Sequence, residues 1–198
     1  MRKIIISVSI LITLACLTSC LNQDPCKGCD EMPEETDGTG LIVGLGEKTY
    51  HDSSYMINNI PIWYGLVDVV TSETHNASKI RHLNGDSIDF SKYSVLCMGA
   101  QGGGCNIRYL RDVSVDKEAK KYVYTVTMLE CGNYEVLLNP SDNIVIIPKI
   151  EDGYIVEILL KEAYWIHHKI KNEHLKWTYI FKEDSDGSWK LESETKHY

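Results

Sequence analysis

The chain has 198 residues and a formal net charge of −8, a balance that repels phosphate backbones and argues against a nucleic-acid partner. Its length suits one domain or two small ones, and with 43% hydrophobic residues a conventional core can form. At the N-terminus, Arg2 and Lys3 precede an apolar run over residues 4–17, and the small residues Thr18 and Ser19 stand before Cys20. That is the three-part layout of a secretory signal. The run is too short for a spanning helix, which needs about 20 apolar residues.

Leu17-Thr18-Ser19-Cys20 resembles the lipobox of bacterial lipoproteins, with leucine three before the cysteine and small residues between. The chemistry explains the pattern: an acyl donor must reach the thiol and a peptidase must seat a small residue at the cleaved bond. The resemblance implies a signal peptide over residues 1–19 and lipidation of Cys20. In such lipoproteins an aspartate after the cysteine resembles an inner-membrane retention signal; here the position holds Leu21, which favours the outer membrane, on either face. Cleavage would remove two bases and no acid, moving the formal charge to −10.

Residues 21–38 are rich in acids, prolines and glycines and lack apolar periodicity, so residues 20–38 read as a flexible tether and 39–198 as one β-rich domain. Leu41, Val43 and Leu45 alternate as in a strand. Residues 60–70 read as a strand whose Pro61 pushes its start to a sheet edge. Residues 72–81 read as a short helix with capping candidates around Ser72. Residues 93–100 form the next strand, before a Gly102-Gly103-Gly104 loop.

Residues 107–115 and 122–131 alternate about a polar stretch and predict a hairpin. Residues 134–138 and 144–148 predict another, turning at Asn139-Pro140-Ser141-Asp142-Asn143. Residues 154–160 read as a buried strand, 161–173 lean to strand, and 175–181 with 189–191 flank the turn Asp184-Ser185-Asp186-Gly187. The expected fold is mainly β, a sandwich, barrel or sheet-rich α+β domain, with antiparallel hairpins and at most one or two short helices.

Cleavage removes Cys16 and lipidation occupies Cys20, which leaves Cys26, Cys29, Cys97, Cys105 and Cys131 for an oxidising compartment. Folding the 107–131 hairpin about residue 118 makes opposed residue numbers sum to 236 or 237, and the first value sets Cys105 against Cys131 as a bridge. A one-residue slip would turn the two apart. Cys97, in an apolar strand, reads as a small buried hydrophobe. Cys26-Lys27-Gly28-Cys29 reads as a disulfide within the tether, with a redox dithiol or half a metal site as alternatives.

His167, His168 and His174 would need Glu162 or Glu173 to complete a metal site, and surface histidines are the plainer reading. Residues 101–104 could offer N–H groups to an anion but lack the lysine and Ser/Thr of a phosphate loop. Ser72, Ser78 and Ser94 have no G-x-S-x-G context. No cofactor, metal or catalytic residue is assigned.

Trp63, Ile88-Asp89-Phe90-Ser91-Lys92-Tyr93, the glycines of 99–104 and Ile144-Val145-Ile146-Ile147-Pro148-Lys149 together resemble, over residues 60–150, the PrcB-type domain of accessory lipoproteins in bacterial protease complexes. Here Cys105-Asn106 follows Gly104 where the family continues Gly-Tyr. The resemblance implies a β-rich interaction domain. The expectation is therefore a membrane-anchored lipoprotein whose non-catalytic domain binds a protein or glycan partner. A thiol-redox lipoprotein using Cys26 and Cys29, or a metal-dependent hydrolase, stands as the alternative.

Overall fold

The computed structural model describes residues 26–34, 36–39, 56–57, 60–61, 67–71, 80–81, 89–132 and 139–198. The strands are β1 (Thr36–Thr39), β2 (Met56–Ile57), β3 (Ile60–Pro61), β4 (Val67–Val70), β5 (Ile80–Arg81), β6 (Tyr93–Gly102), β7 (Asn106–Asp116), β8 (Lys121–Cys131), β9 (Asn139–Pro148), β10 (Ile155–Ile166), β11 (Lys169–Glu183) and β12 (Trp189–Lys196). The single helical turn among the described residues is the 3₁₀ turn Cys29–Glu31. The mainly-β expectation holds.

The large sheet has six strands in the order β1-β7-β8-β10-β11-β12. Its three antiparallel pairs are the hairpins β7–β8, β10–β11 and β11–β12. Two pairs are parallel, β1 with β7 and β8 with β10. A parallel pair needs a crossover between its strands, and here the chain leaves β8, runs through β9 in another sheet and returns as β10.

That second sheet has the order β4-β6-β9, and the short strands β3-β2-β5 form a third. β6 is buried along nearly its whole length on both faces, which suits its unbroken apolar run Val95-Leu96-Cys97-Met98. A turn at Asp89 leads into it: the carboxylate pairs with Lys92 Nζ at 2.8 Å and accepts from Ser91, which together hold its pKa at about 2.

The inner face of the large sheet carries Tyr109, Val113, Tyr124, Val126, Met128, Val156, Ile158, Tyr179 and Phe181. They pack on Val69, Leu96, Met98, Val145 and Ile147 of the second sheet, the two layers of a sandwich. Period-two alternation, clear in β7 and β10, produces this face. Arg111, which interrupts that pattern in the sequence, is itself buried in line with Tyr109 and Val113. The fully buried Tyr124 donates its O–H to the Asn143 carbonyl at 3.2 Å, and burial drives its pKa well up. Asn143 Nδ2 donates in turn to the Met98 carbonyl at 3.1 Å.

Several local readings change. Residues 139–143 belong to strand β9 rather than to a turn, paired with β6 from Gly102 back to Met98. β9 is an edge strand, so Pro140 can sit in it without breaking a central ladder. Its expected partner, 134–138, lies outside the described residues. The single strand expected over 60–70 is two, β3 and β4, in different sheets, although Pro61 does lie on an edge strand. Ile80 and Arg81 are extended rather than helical; residues 72–79 and the strand expected at 41–45 lie outside the described residues.

The C-terminal hairpin turns as expected, with Gly187 at φ 79°, Gly187 N–H donating to the Asp184 carbonyl at 2.9 Å and Asp184 N–H to the Ser188 carbonyl at 2.7 Å. At the other end of β11 the tight turn is His167-His168, with φ of 53° and 59°. These two residues therefore stand in a turn rather than in a strand or helix.

Candidate functional site

The chemically loaded residues gather at one end of the sandwich, where β8 finishes, the 102–105 loop crosses and the β10–β11 hairpin projects. The construction begins with Cys26-Lys27-Gly28-Cys29. Cys29 N–H donates to the Cys26 carbonyl at 3.1 Å, which closes a turn and starts the 3₁₀ turn. The segment lays Cys29 and Met32 on the outer face of the large sheet, against Leu129, Cys131 and Ala163, with Leu110 and Trp165 at the margin.

Two disulfides fix it there: Cys26–Cys105 and Cys29–Cys131, with Cα separations of 5.4 and 5.6 Å. Trp165 Nε1 donates to the Gly28 carbonyl at 3.1 Å, Asn106 Nδ2 donates to the Cys29 carbonyl at 3.2 Å, and His168 Nδ1 meets Glu31 Oε2 at 2.6 Å. β1 then continues the attachment by pairing with β7. Residues 26–34 and 36–39 are thus part of the domain, which corrects the reading of 20–38 as a flexible tether and of 39 as the domain's start.

The four cysteines expected in bridges are bridged, but with different partners. The hairpin register opposes Cys131 to Asn106, a sum of 237, so the Cys105–Cys131 pair is off by one residue and does not form. Cys105 instead donates its N–H to the Cys131 carbonyl at 2.8 Å and turns its sulfur to Cys26. Gly104 makes this approach possible: its φ is +100°, and an added Cβ would stand 2.5 Å from the Cys131 carbonyl oxygen. The Cys26–Cys29 bridge is likewise absent, each cysteine being held elsewhere. Cys97 takes part in neither bridge and is fully buried in β6, as the apolar context suggested.

On the inner face at the same end, beyond the apolar core, lie Glu130, Glu162, Tyr164, His174 and Lys176. Glu162 is buried, with Lys176 Nζ at 2.5 Å, Tyr164 O–H donating at 2.5 Å and His174 Nε2 at 3.7 Å. β11 bulges between Trp177 and Leu175, opposite consecutive β10 residues, and the extra residue is Lys176. Glu130 is also buried, and Gly103 N–H donates to its Oε1 at 3.0 Å. The glycine loop does meet an anion-forming group, and it is the chain's own side chain.

Burial raises the Glu130 pKa; the Gly103 N–H opposes this, the nearby Glu162 charge adds to it, and Lys176 opposes it. Its Oε2 is enclosed without a hydrogen-bond partner among the described residues, an environment that favours the neutral acid. Burial and the Glu130 charge raise Tyr164 as well. A buried carboxyl whose pKa is raised is a feature that general-acid chemistry uses. Here Glu130 and Glu162 are both spent on the fold: one latches the 102–104 loop and the other joins β10 to β11.

Of the expected histidine cluster, His174 lies near Glu162, His168 bridges to Glu31, His167 is exposed at the turn, and Glu173 pairs with Lys161 at 2.7 Å. The structure does not bring the three together, and among the described residues no group of three ligating side chains could hold a metal ion. Glu130, Tyr164 and Lys176 escaped the sequence reading. The signal for Glu130 was its parity, an acid on the same face as Tyr122, Tyr124, Val126 and Met128. Cys20 lies outside the described residues, and among those described no helix is long and apolar enough to cross a membrane. No family model matches the chain, and no curated protein or solved structure matches it either.

Proposed function

We propose that this chain is an outer-membrane lipoprotein, anchored through acylated Cys20, whose β-sandwich is a non-catalytic binding module for a protein or glycan partner. The observation that carries the reading is the pair of disulfides between the 26–29 turn and the β7–β8 hairpin. Bridged cysteines suit a chain that passes through an oxidising compartment, which is where the signal over residues 1–19 would send it. A binding role is favoured because Cys26, Cys29, Glu130 and Glu162 are engaged with the chain's own groups. The resemblance of residues 60–150 to PrcB-type domains points the same way.

Metabolic labelling with a clickable fatty acid, in wild type and Cys20→Ala, tests the anchor: label and membrane fractionation are expected in the first and lost in the second. Cross-linking on intact cells, followed by mass spectrometry of adducts, tests for a partner, and a domain that captures neither protein nor glycan sinks the binding reading. Alkylation without reductant separates the thiol-redox alternative. Binding predicts that Cys26, Cys29, Cys105 and Cys131 stay unmodified, whereas a working dithiol predicts a labelled Cys26 and Cys29.

A further inference from the structure

We propose that the tip of the β10–β11 hairpin is a membrane-seating surface, resting in the phospholipid headgroup layer beside the protein's own acyl chains. The inference rests on the lipidation of Cys20 put forward above and adds where the domain meets the bilayer. Six residue steps separate Cys20 from Cys26, and whatever path residues 21–25 follow, they cannot span more than about 20 Å. Cys26 is bonded to Cys105, so this end of the sandwich is obliged to stay within that distance of the acylated residue. β11, with 15 residues, is about 50 Å long. The 184–187 turn at its far end is under no such obligation.

The hairpin tip belongs to the obliged end, because Trp165 and His168 contact Gly28 and Glu31, two to five residues beyond Cys26. Among the described residues the exposed large apolar side chains include Ile166 at 37% and Ile170 at 42%, both at this tip. Trp165 stands opposite Ile170 and Ile166 opposite Lys169, so the two isoleucines emerge on opposite faces of the ribbon. Lys169 and Lys171 flank them, exposed and in no ion pair among the described residues. Apolar side chains at a tip, ringed by lysines whose stems can lie along the acyl boundary while their ammonium groups reach phosphates, fit a bilayer surface. The chain as a whole is acidic, whereas residues 164–171 carry two lysines and no acid, which suits contact with an anionic surface.

The test uses the full acylated protein in vesicles of phosphatidylethanolamine with a minority of phosphatidylglycerol, doped with a diazirine-bearing phospholipid. After irradiation, mass spectrometry should place lipid adducts within residues 164–171 and none within 184–189. Ile166→Asn with Ile170→Asn should cut the adducts several-fold while membrane fractionation is unchanged, since the acyl chains still hold the protein. Adducts spread over the domain, undiminished in the double variant, or absent from a chain whose intact mass shows acylated Cys20 would overturn the seating and leave the anchor standing. A mature chain without acyl mass would overturn both.

Discussion

The two faces of the six-stranded sheet are covered in different ways. The inner face meets a second sheet through a broad apolar layer in which Tyr124, Val126, Val156 and Ile158 are fully buried. At the stapled end the outer face is covered by a short segment that contributes mainly Cys29 and Met32. Area alone secures the first contact. The second is too small to hold an ordered segment against its conformational entropy, and covalent bonds supply what burial does not.

If that contrast is right, the largest effect comes from removing both bridges, which close spans of 79 and 102 residues. The variant with alanine at Cys26, Cys29, Cys105 and Cys131 should lose at least about 4 kcal/mol in urea unfolding, from the restored freedom of the unfolded chain. Ile158→Ala in the inner layer should cost about 3–4 kcal/mol, whether or not the bridges are present. Met32→Ala should cost about 2 kcal/mol in the bridged protein and almost nothing in the four-alanine variant, where the segment has already left the sheet. An equal cost in both backgrounds would show that the segment docks without its staples.

The smallest effect sharpens the polar part of the same end. Glu130 has its folded-state pKa raised, so its contribution to stability is fully present below the ordinary carboxylate range and is lost as pH rises through the folded value. Glu130→Gln keeps an acceptor for Gly103 N–H and has no proton to lose. Wild type should therefore match the variant in acid and fall progressively below it as the pH is raised, read as the difference in urea midpoints. Parallel curves across the range would mean that Glu130 ionises in the fold without penalty.

Much of the sandwich is legible in the sequence because it is local. β7 and β8 announce themselves by alternation about a polar turn, and Gly187 marks the last hairpin. What failed were features decided by partners far along the chain. Asn139 to Asn143 carry every mark of a turn, yet the edge position beside β6 accepts Pro140, and Asn143 is tied to the Met98 carbonyl. The parallel β8–β10 pair leaves no short-range trace. At the candidate site the cysteines were identified but their pairing turned on a single residue of register, with Asn106 rather than Cys105 facing Cys131. Lys176 reaches Glu162 from a bulge, which strict alternation does not foresee.

The bridging pattern also sets an order of events during oxidative folding. Cys26 and Cys29 emerge together and are three residues apart, so a bridge between them closes the smallest loop and costs the least chain entropy. Both of their final partners arrive only after Cys105 and Cys131 have been delivered and the β7–β8 hairpin has formed to present them. The easiest first bridge is a wrong one, and maturation should then depend on disulfide isomerisation as well as oxidation. Acid trapping during oxidative refolding should reveal an early Cys26–Cys29 species that disappears as the native pair accumulates, and native bridges forming without it would show that the hairpin captures the incoming thiols first.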